Sequence, residues 1–107
     1  MKAVAINQYG SPNILEYIDI EKPKLKGDQI LVRNYASSVN PIDWKIRKGM
    51  LKILTGKNFP MVLGFDVSGE VVEVGERATA FKPGDLIYAR IDQLTGGRVS
   101  QCSKTLV

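Results

Sequence analysis

Between Gly64 and Asp85 the chain reads Gly-Phe-Asp-Val-Ser-Gly-Glu-Val-Val-Glu-Val-Gly, then Glu-Arg-Ala-Thr-Ala-Phe, then Lys-Pro-Gly-Asp. Val67, Val71, Val72 and Val74 supply β-branched side chains that fit a pleated, half-buried backbone, and Gly64, Gly69 and Gly75 punctuate them. Pro83-Gly84 is the pair favoured at the two centre positions of a type II turn, because proline presets the first dihedral and glycine accepts a positive one at the second. The stretch predicts a strand, a loop and a tight turn.

The flanking sequence adds strands of the same kind. Residues 2–6 alternate Ala3 and Ala5 with Val4 and Ile6, and Tyr9-Gly10-Ser11-Pro12 reads as the turn that follows. Residues 13–20 set Leu15, Tyr17 and Asp19 against Ile14, Glu16, Ile18 and Ile20, a second and moderately amphipathic strand. Residues 21–28 are polar with a proline and a glycine, an exposed connection. Residues 29–36 place Ile30 and Val32 opposite Leu31, Arg33 and Tyr35, which suits a strand covered on one side and partly on the other. Residues 85–91 set Leu86, Tyr88 and Arg90 against Ile87, Ala89 and Ile91.

Residues 37–49 change character. Asn40 is a good N-cap, Pro41 suits the first helical position, Asp43 lies where a helix dipole favours an anion, and Gly49 is placed to stop the helix. A helix of two turns is predicted, with Ile42 and Ile46 on one face for packing on the rest of the domain. Met50, Ile53 and Leu54 stand at helical spacing and extend it irregularly until Gly56 and Pro60 close the segment. Thr95-Gly96-Gly97-Arg98 is turn-like, and a short mixed tail follows. Many short strands with one or two short helices in 107 residues predict one mainly β domain, a partly open β-barrel.

Chemistry is bounded by what the chain lacks. It has no histidine and one cysteine, Cys102, which removes the imidazole acid/base, leaves a soft metal one thiolate, and forbids an intramolecular disulfide. No acidic cluster has calcium-loop spacing. The net charge of +4 is concentrated in Lys45, Arg47, Lys48, Lys52 and Lys57, but these are not interleaved with aromatics as a base-stacking platform needs, so a solvated helix face and loop is favoured over a nucleic-acid interface. Mean hydropathy near zero and apolar runs of only a few residues point to a soluble, cytoplasmic protein with no membrane partner.

Several motifs fall in an order that resembles a known family: Met-Lys-Ala-Val at the start, Val39-Asn40-Pro41-Ile42-Asp43, Gly64-Phe65-Asp66-Val67-Ser68-Gly69-Glu70-Val71, Val74-Gly75 and Lys82-Pro83-Gly84-Asp85. They are similar to the N-terminal GroES-like domain of the medium-chain dehydrogenase/reductase superfamily, most of all its zinc-independent quinone oxidoreductase-like branch, over nearly the whole chain up to about Ile91. The resemblance implies a GroES-like barrel for residues 1–92, a divergent or truncated tail at 93–107, and, in the complete protein, reduction of a small quinone, enone or aldehyde by NADPH or NADH in a cleft between the barrel and a Rossmann domain. Zinc members carry cysteine where Asn40 stands and histidine where Phe65 stands, so no zinc is expected.

By the same resemblance Asn40 and Asp43 orient nicotinamide and substrate, with helix capping as their alternative use. Lys45 replaces the branch's common tyrosine, either as a donor to a developing oxyanion or as a solvated base. Trp44 and Phe65 line an apolar substrate pocket or simply pack. Asp66 stands where zinc enzymes keep a glutamate, which implies a structural carboxylate that accepts backbone hydrogen bonds or pairs with Arg47 or Lys48. Cys102 has no histidine to activate it and reads as incidental. No Gly-x-Gly-x-x-Gly turn is present to hold a dinucleotide, so the chain alone is expected to be inactive and to bind no cofactor tightly. The rival reading is a stand-alone binding or oligomerisation module, a homodimer through exposed barrel surface.

Overall fold

The computed structural model describes residues 1–91 and the backbone of a last strand, Lys104–Leu106. The turn expected at 95–98 and Cys102 lie outside the described residues.

Strand β1 (Lys2–Ile6) is the centre of a three-stranded antiparallel sheet, between β2 (Glu16–Asp19) and β4 (Met61–Val62). The second sheet runs β6 (Leu86–Arg90), β5 (Asp66–Val74), β3 (Ile30–Ser37), β7 (Lys104–Leu106), again antiparallel throughout. Ala3 and Ala5 from the first sheet meet Ile30, Val32, Val67 and Val71 from the second, with Val62 and Ile91 completing this core. Small alanines on β1 face branched side chains on β3 and β5, a small-to-large match that lets the layers interdigitate. Register shifts in the β3–β5 ladder between Leu31 and Val32 and between Asn34 and Ala36 mark bulges, which bend a sheet and raise its twist. The result is mainly β, two open sheets curled as a partial barrel with two short helices, as the sequence predicts.

Two glycine-dependent features fix the β3–β5–β6 unit. At Gly69 an added Cβ would stand 2.0 Å from the Arg33 carbonyl oxygen, so only glycine lets these strands close. At the turn before β6 the Asp85 N–H donates to the Lys82 carbonyl at 3.1 Å and Gly84 has φ 96°, the type II turn that Pro83-Gly84 predicts.

Helix α1 (Pro41–Lys48) starts at Asn40 and ends at Gly49. It docks Ile46, with Ile42 partly buried, on a second core of Ile6, Leu63 and Phe65 that closes one end of the barrel. Helix α2 (Lys52–Thr55) is a single turn.

One segment departs from the sequence reading and another follows it with an unexpected anchor. Asn13 and Ile14 belong to a 3-10 turn, Pro12–Ile14, so β2 starts only at Glu16. Pro12 has the fixed φ of a helical first position and no N–H to satisfy, which favours a turn over early pairing with β1. The extension after α1 is irregular, as the sequence predicts: a turn at residues 49–51 separates α1 from α2, and Met50, Ile53 and Leu54 are exposed. The segment is anchored through polar atoms instead. Thr55 is 1% exposed, its hydroxyl donating to the Leu51 carbonyl at 3.1 Å and lying 2.6 Å from the Tyr9 hydroxyl, which also donates to the Gly56 carbonyl.

Candidate functional site

The start of α1 and the β4–β5 connection are stitched together by two carboxylates. Asp43 is 4% exposed, and each of its oxygens accepts a backbone N–H: Oδ2 from Asn40 at 2.7 Å and Oδ1 from Gly64 at 2.9 Å. The first bond is the returning arm of a capping box, with the acidic residue three positions after the N-cap. The second is tertiary, and it satisfies a donor at a chain reversal that β4 and β5 do not pair.

Asp66, at the start of β5, holds the other end of the same residue. Its Oδ2 accepts from the Asn40 side-chain amide at 2.8 Å and from the Ser38 hydroxyl at 2.6 Å. These bonds, the one from Ser38 foremost, hold the Asp66 carboxyl below its ordinary value of 3.8, with the charge of Arg90 adding to the effect and desolvation opposing it. Arg90 is its cross-strand partner on β6. The backbone and side chain of Asn40 are thus each fixed by a different carboxylate, and its half-exposed amide is held at the surface beside the exposed Val39.

Among the described residues Asp66 pairs with neither Arg47 nor Lys48, and its partners are the side chains of Asn40 and Ser38 and not backbone donors. Arg47 is buried and turned the other way: its guanidinium donates to the Gly10 carbonyl at 2.6 Å, and its own carbonyl accepts the Gly10 N–H at 2.9 Å. A charged residue in an apolar-looking helix face is here a tether to the turn after β1.

Trp44 lies on α1 beside a cleft of about 110 Å³ that it lines with Val4, Leu15, Val39 and Leu63, together with Asp43 and Arg47. Lys45 is exposed, its ammonium 5.7 Å from the centre of the Trp44 ring, and the Lys48 ammonium is 5.3 Å from the same ring. Phe65 is not among the residues lining this cleft. It is buried in the core with Ile6, Ile46 and Leu63, and its carbonyl accepts the Ile91 N–H at 2.7 Å. The structure therefore brings Asn40, Asp43, Trp44 and Lys45 to one end of the barrel as consecutive parts of one helix start, and places Phe65 beneath them.

The links of Asp66 to Asn40 and Ser38, and of Asp43 to Gly64, are absent from the sequence reading. The one signal for them is an excess of cap-capable side chains, Ser38, Asn40 and Asp43, around a single helix start. Among the described residues no group of three or more His, Cys, Asp or Glu side chains is placed to hold a metal ion, and no helix is long and apolar enough to cross a membrane.

The profile of the alcohol dehydrogenase GroES-like domain matches residues 26–106. The chloroplastic quinone-oxidoreductase homolog of Spinacia oleracea is 38% identical over 102 residues, 94% of this chain and 31% of that protein. The chloroplastic NADPH-dependent alkenal/one oxidoreductase of Arabidopsis thaliana is 38% identical over 94 residues, 87% of this chain and 24% of that protein. Among solved structures, the quinone oxidoreductase from Coxiella burnetii superposes with a TM-score of 0.85 at 32% identity, over all of this chain and 33% of its own. The chain spans about a third or less of the length of these relatives.

Proposed function

The chain belongs to the alcohol dehydrogenase GroES-like domain family, and from that membership we propose that it is the substrate-side wall of an NAD(P)H-dependent quinone or alkenal oxidoreductase that does not turn over by itself. The observation that carries this reading is the double anchoring of Asn40 at the start of α1, within the matched segment. A rigid amide next in sequence to Val39, which lines the apolar cleft, is an orienting device, suited to a ring carboxamide or a substrate carbonyl.

A nicotinamide, when bound, supplies the hydride, and the residues of this chain position what receives it. Asn40 is proposed to meet the cofactor's carboxamide or the acceptor. Asp43, with both oxygens occupied by backbone N–H groups, works through Asn40 rather than on a ligand directly. Lys45 is proposed to donate to the oxygen that gains negative charge, in the role of a preorganised donor. Trp44 contributes the apolar wall, and Phe65 supports it from below.

The donor set fits a carboxamide-bearing ring and does not fit zinc, because Asn40 offers no thiolate, Phe65 has no donor atom, and the chain holds no histidine. A cytoplasmic location belongs to the same proposal and rests on the balanced polarity of the chain.

The test joins this chain to the remaining two-thirds of the spinach homolog in place of the matching segment. The isolated chain is expected to give no NADPH consumption with 1,4-benzoquinone and no saturable NADPH binding. The chimera is expected to turn over, and Asn40→Ala within it to lose about a hundredfold in kcat/KM. Turnover by the isolated chain, or an Asn40→Ala chimera at full rate, overturns the reading.

A second reading has its own observation. Leu86 and Tyr88 on β6 are exposed beside Tyr35, whose hydroxyl donates to Glu70 on the same outer sheet face. We propose that this face pairs two copies as a homodimer. Sedimentation equilibrium showing a dimer that Tyr88→Glu dissociates supports it, and a monomer at high concentration sinks it.

A further inference from the structure

Trp44 is the only tryptophan of the chain, is 40% exposed, and forms one side of the 110 Å³ cleft with Val4, Leu15, Val39 and Leu63. Both Lys45 and Lys48 rest their ammonium groups near its ring, at 5.7 and 5.3 Å from the centroid. Among the described residues the salt bridges are Lys2–Asp19 and Lys22–Glu73, so neither of these lysines is paired with a carboxylate. Two like charges gathered on one indole repel, and cation–π attraction offsets that only in part at an exposed ring.

The helix dipole explains basic residues in the last turn of α1. It does not explain why the indole that both ammonium groups approach is also a wall of an open apolar cleft. The other charges at the cleft are committed elsewhere: Asp43 to the Asn40 and Gly64 N–H groups, Arg47 to the Gly10 carbonyl. Their opposite signs offset each other, and among the described residues the unpaired charge beside the Trp44 wall is that of the two lysines.

We propose that this cleft binds a small carboxylic acid with an apolar body, the apolar part against Trp44, Val39 and Leu63 and the carboxylate between Lys45 and Lys48. The size bounds the ligand. A closed cavity of about 150 Å³ takes up benzene, so an open cleft of about 110 Å³ has room for about one ring or a short chain. The anion supplies what the lysines lack, and desolvation of the ring against the indole supplies the rest. This binding needs no nicotinamide and no partner segment, so it stands or falls separately from the redox reading.

The test uses the full chain and its single indole N–H resonance, which reports on the cleft directly. At low salt, 3-phenylpropanoate is expected to shift that resonance saturably, and the neutral 3-phenylpropanamide to bind at least about tenfold more weakly. The Lys45→Gln/Lys48→Gln double variant is expected to lose about tenfold in affinity for the acid while keeping a native, dispersed spectrum. Raising the salt should weaken the acid several-fold and leave the amide unchanged, since exposed charges are screened over about 10 Å at 0.1 M ionic strength. Equal affinity for acid and amide, unchanged affinity in the double variant, or the same shift from inorganic phosphate alone would each overturn the proposal.

Discussion

Helices α1 and α2 follow one another in the chain, are both short, and are held by opposite means. In α1 the sequence supplies a start at Asn40-Pro41, a stop at Gly49 and an apolar side chain, Ile46, that is 2% exposed against Ile6, Leu63 and Phe65. In α2 the apolar side chains look outward, with Ile53 100% exposed, and the turn is pinned by the buried hydroxyl of Thr55 and by Tyr9. Helical spacing of apolar residues is common to both. What separates them is whether a second surface is there to receive that face, and among the described residues only α1 has one.

The largest blow to this contrast comes from Asp43→Ala. It leaves the N–H groups of Asn40 and Gly64 without their shared acceptor in a buried place, and bonds to a charged acceptor are worth about 1.5–3 kcal/mol each. A loss of about 4 kcal/mol in urea denaturation is expected, and a loss under about 1 kcal/mol would mean that α1 is held by packing alone. Ile46→Ala is next, at about 3 kcal/mol for a buried branched side chain that leaves a cavity. Tyr9→Phe tests the polar anchor of α2. It should cost about 1 kcal/mol and speed amide exchange at residues 51–56, with little change at 41–48.

Acid is expected to act on the start of α1 and not on the end of α2. The folded Asp66 carboxyl titrates below its ordinary 3.8, so its contribution is fully present above that value and is lost as the pH falls through the lower folded pKa. The side-chain amide resonances of Asn40 should move in that window, Asp66→Asn should abolish the movement, and the amides of Thr55 and Gly56 should not follow it. The smallest effect is Ile53→Ala, expected within about 0.5 kcal/mol of the parent, as for surface positions generally. A larger loss would show that α2 has a docking surface after all.

Legibility in the sequence follows the range of the interaction. The bounds of β1, the caps of α1 and the turn at Pro83-Gly84 are local, set by residues within a few positions of one another, and each was readable. The late start of β2 was missed because alternation at 13–20 cannot register that Pro12 has already committed the chain to a tight turn. At the site, residue identities were readable and the wiring was not. Asn40 and Asp43 stood out as cap residues, but the reach of Asp43 to Gly64 spans 21 positions and that of Asn40 to Asp66 spans 26, and nothing in a linear string ranks those pairings above others. Arg47 illustrates the same limit. Its charge suggested a carboxylate partner, and the fold gave it a backbone carbonyl across the domain.

The close approach of β3 and β5 at Gly69 has its own consequence for how the chain tolerates change. With a carbonyl oxygen 2.0 Å from where any side chain would begin, even the smallest replacement has to push two paired strands apart. In a survey of every single substitution, position 69 should be an empty column while position 53 fills with nearly all residue types. The two columns would show directly that this barrel is rationed by backbone clearance and not by hydrophobicity.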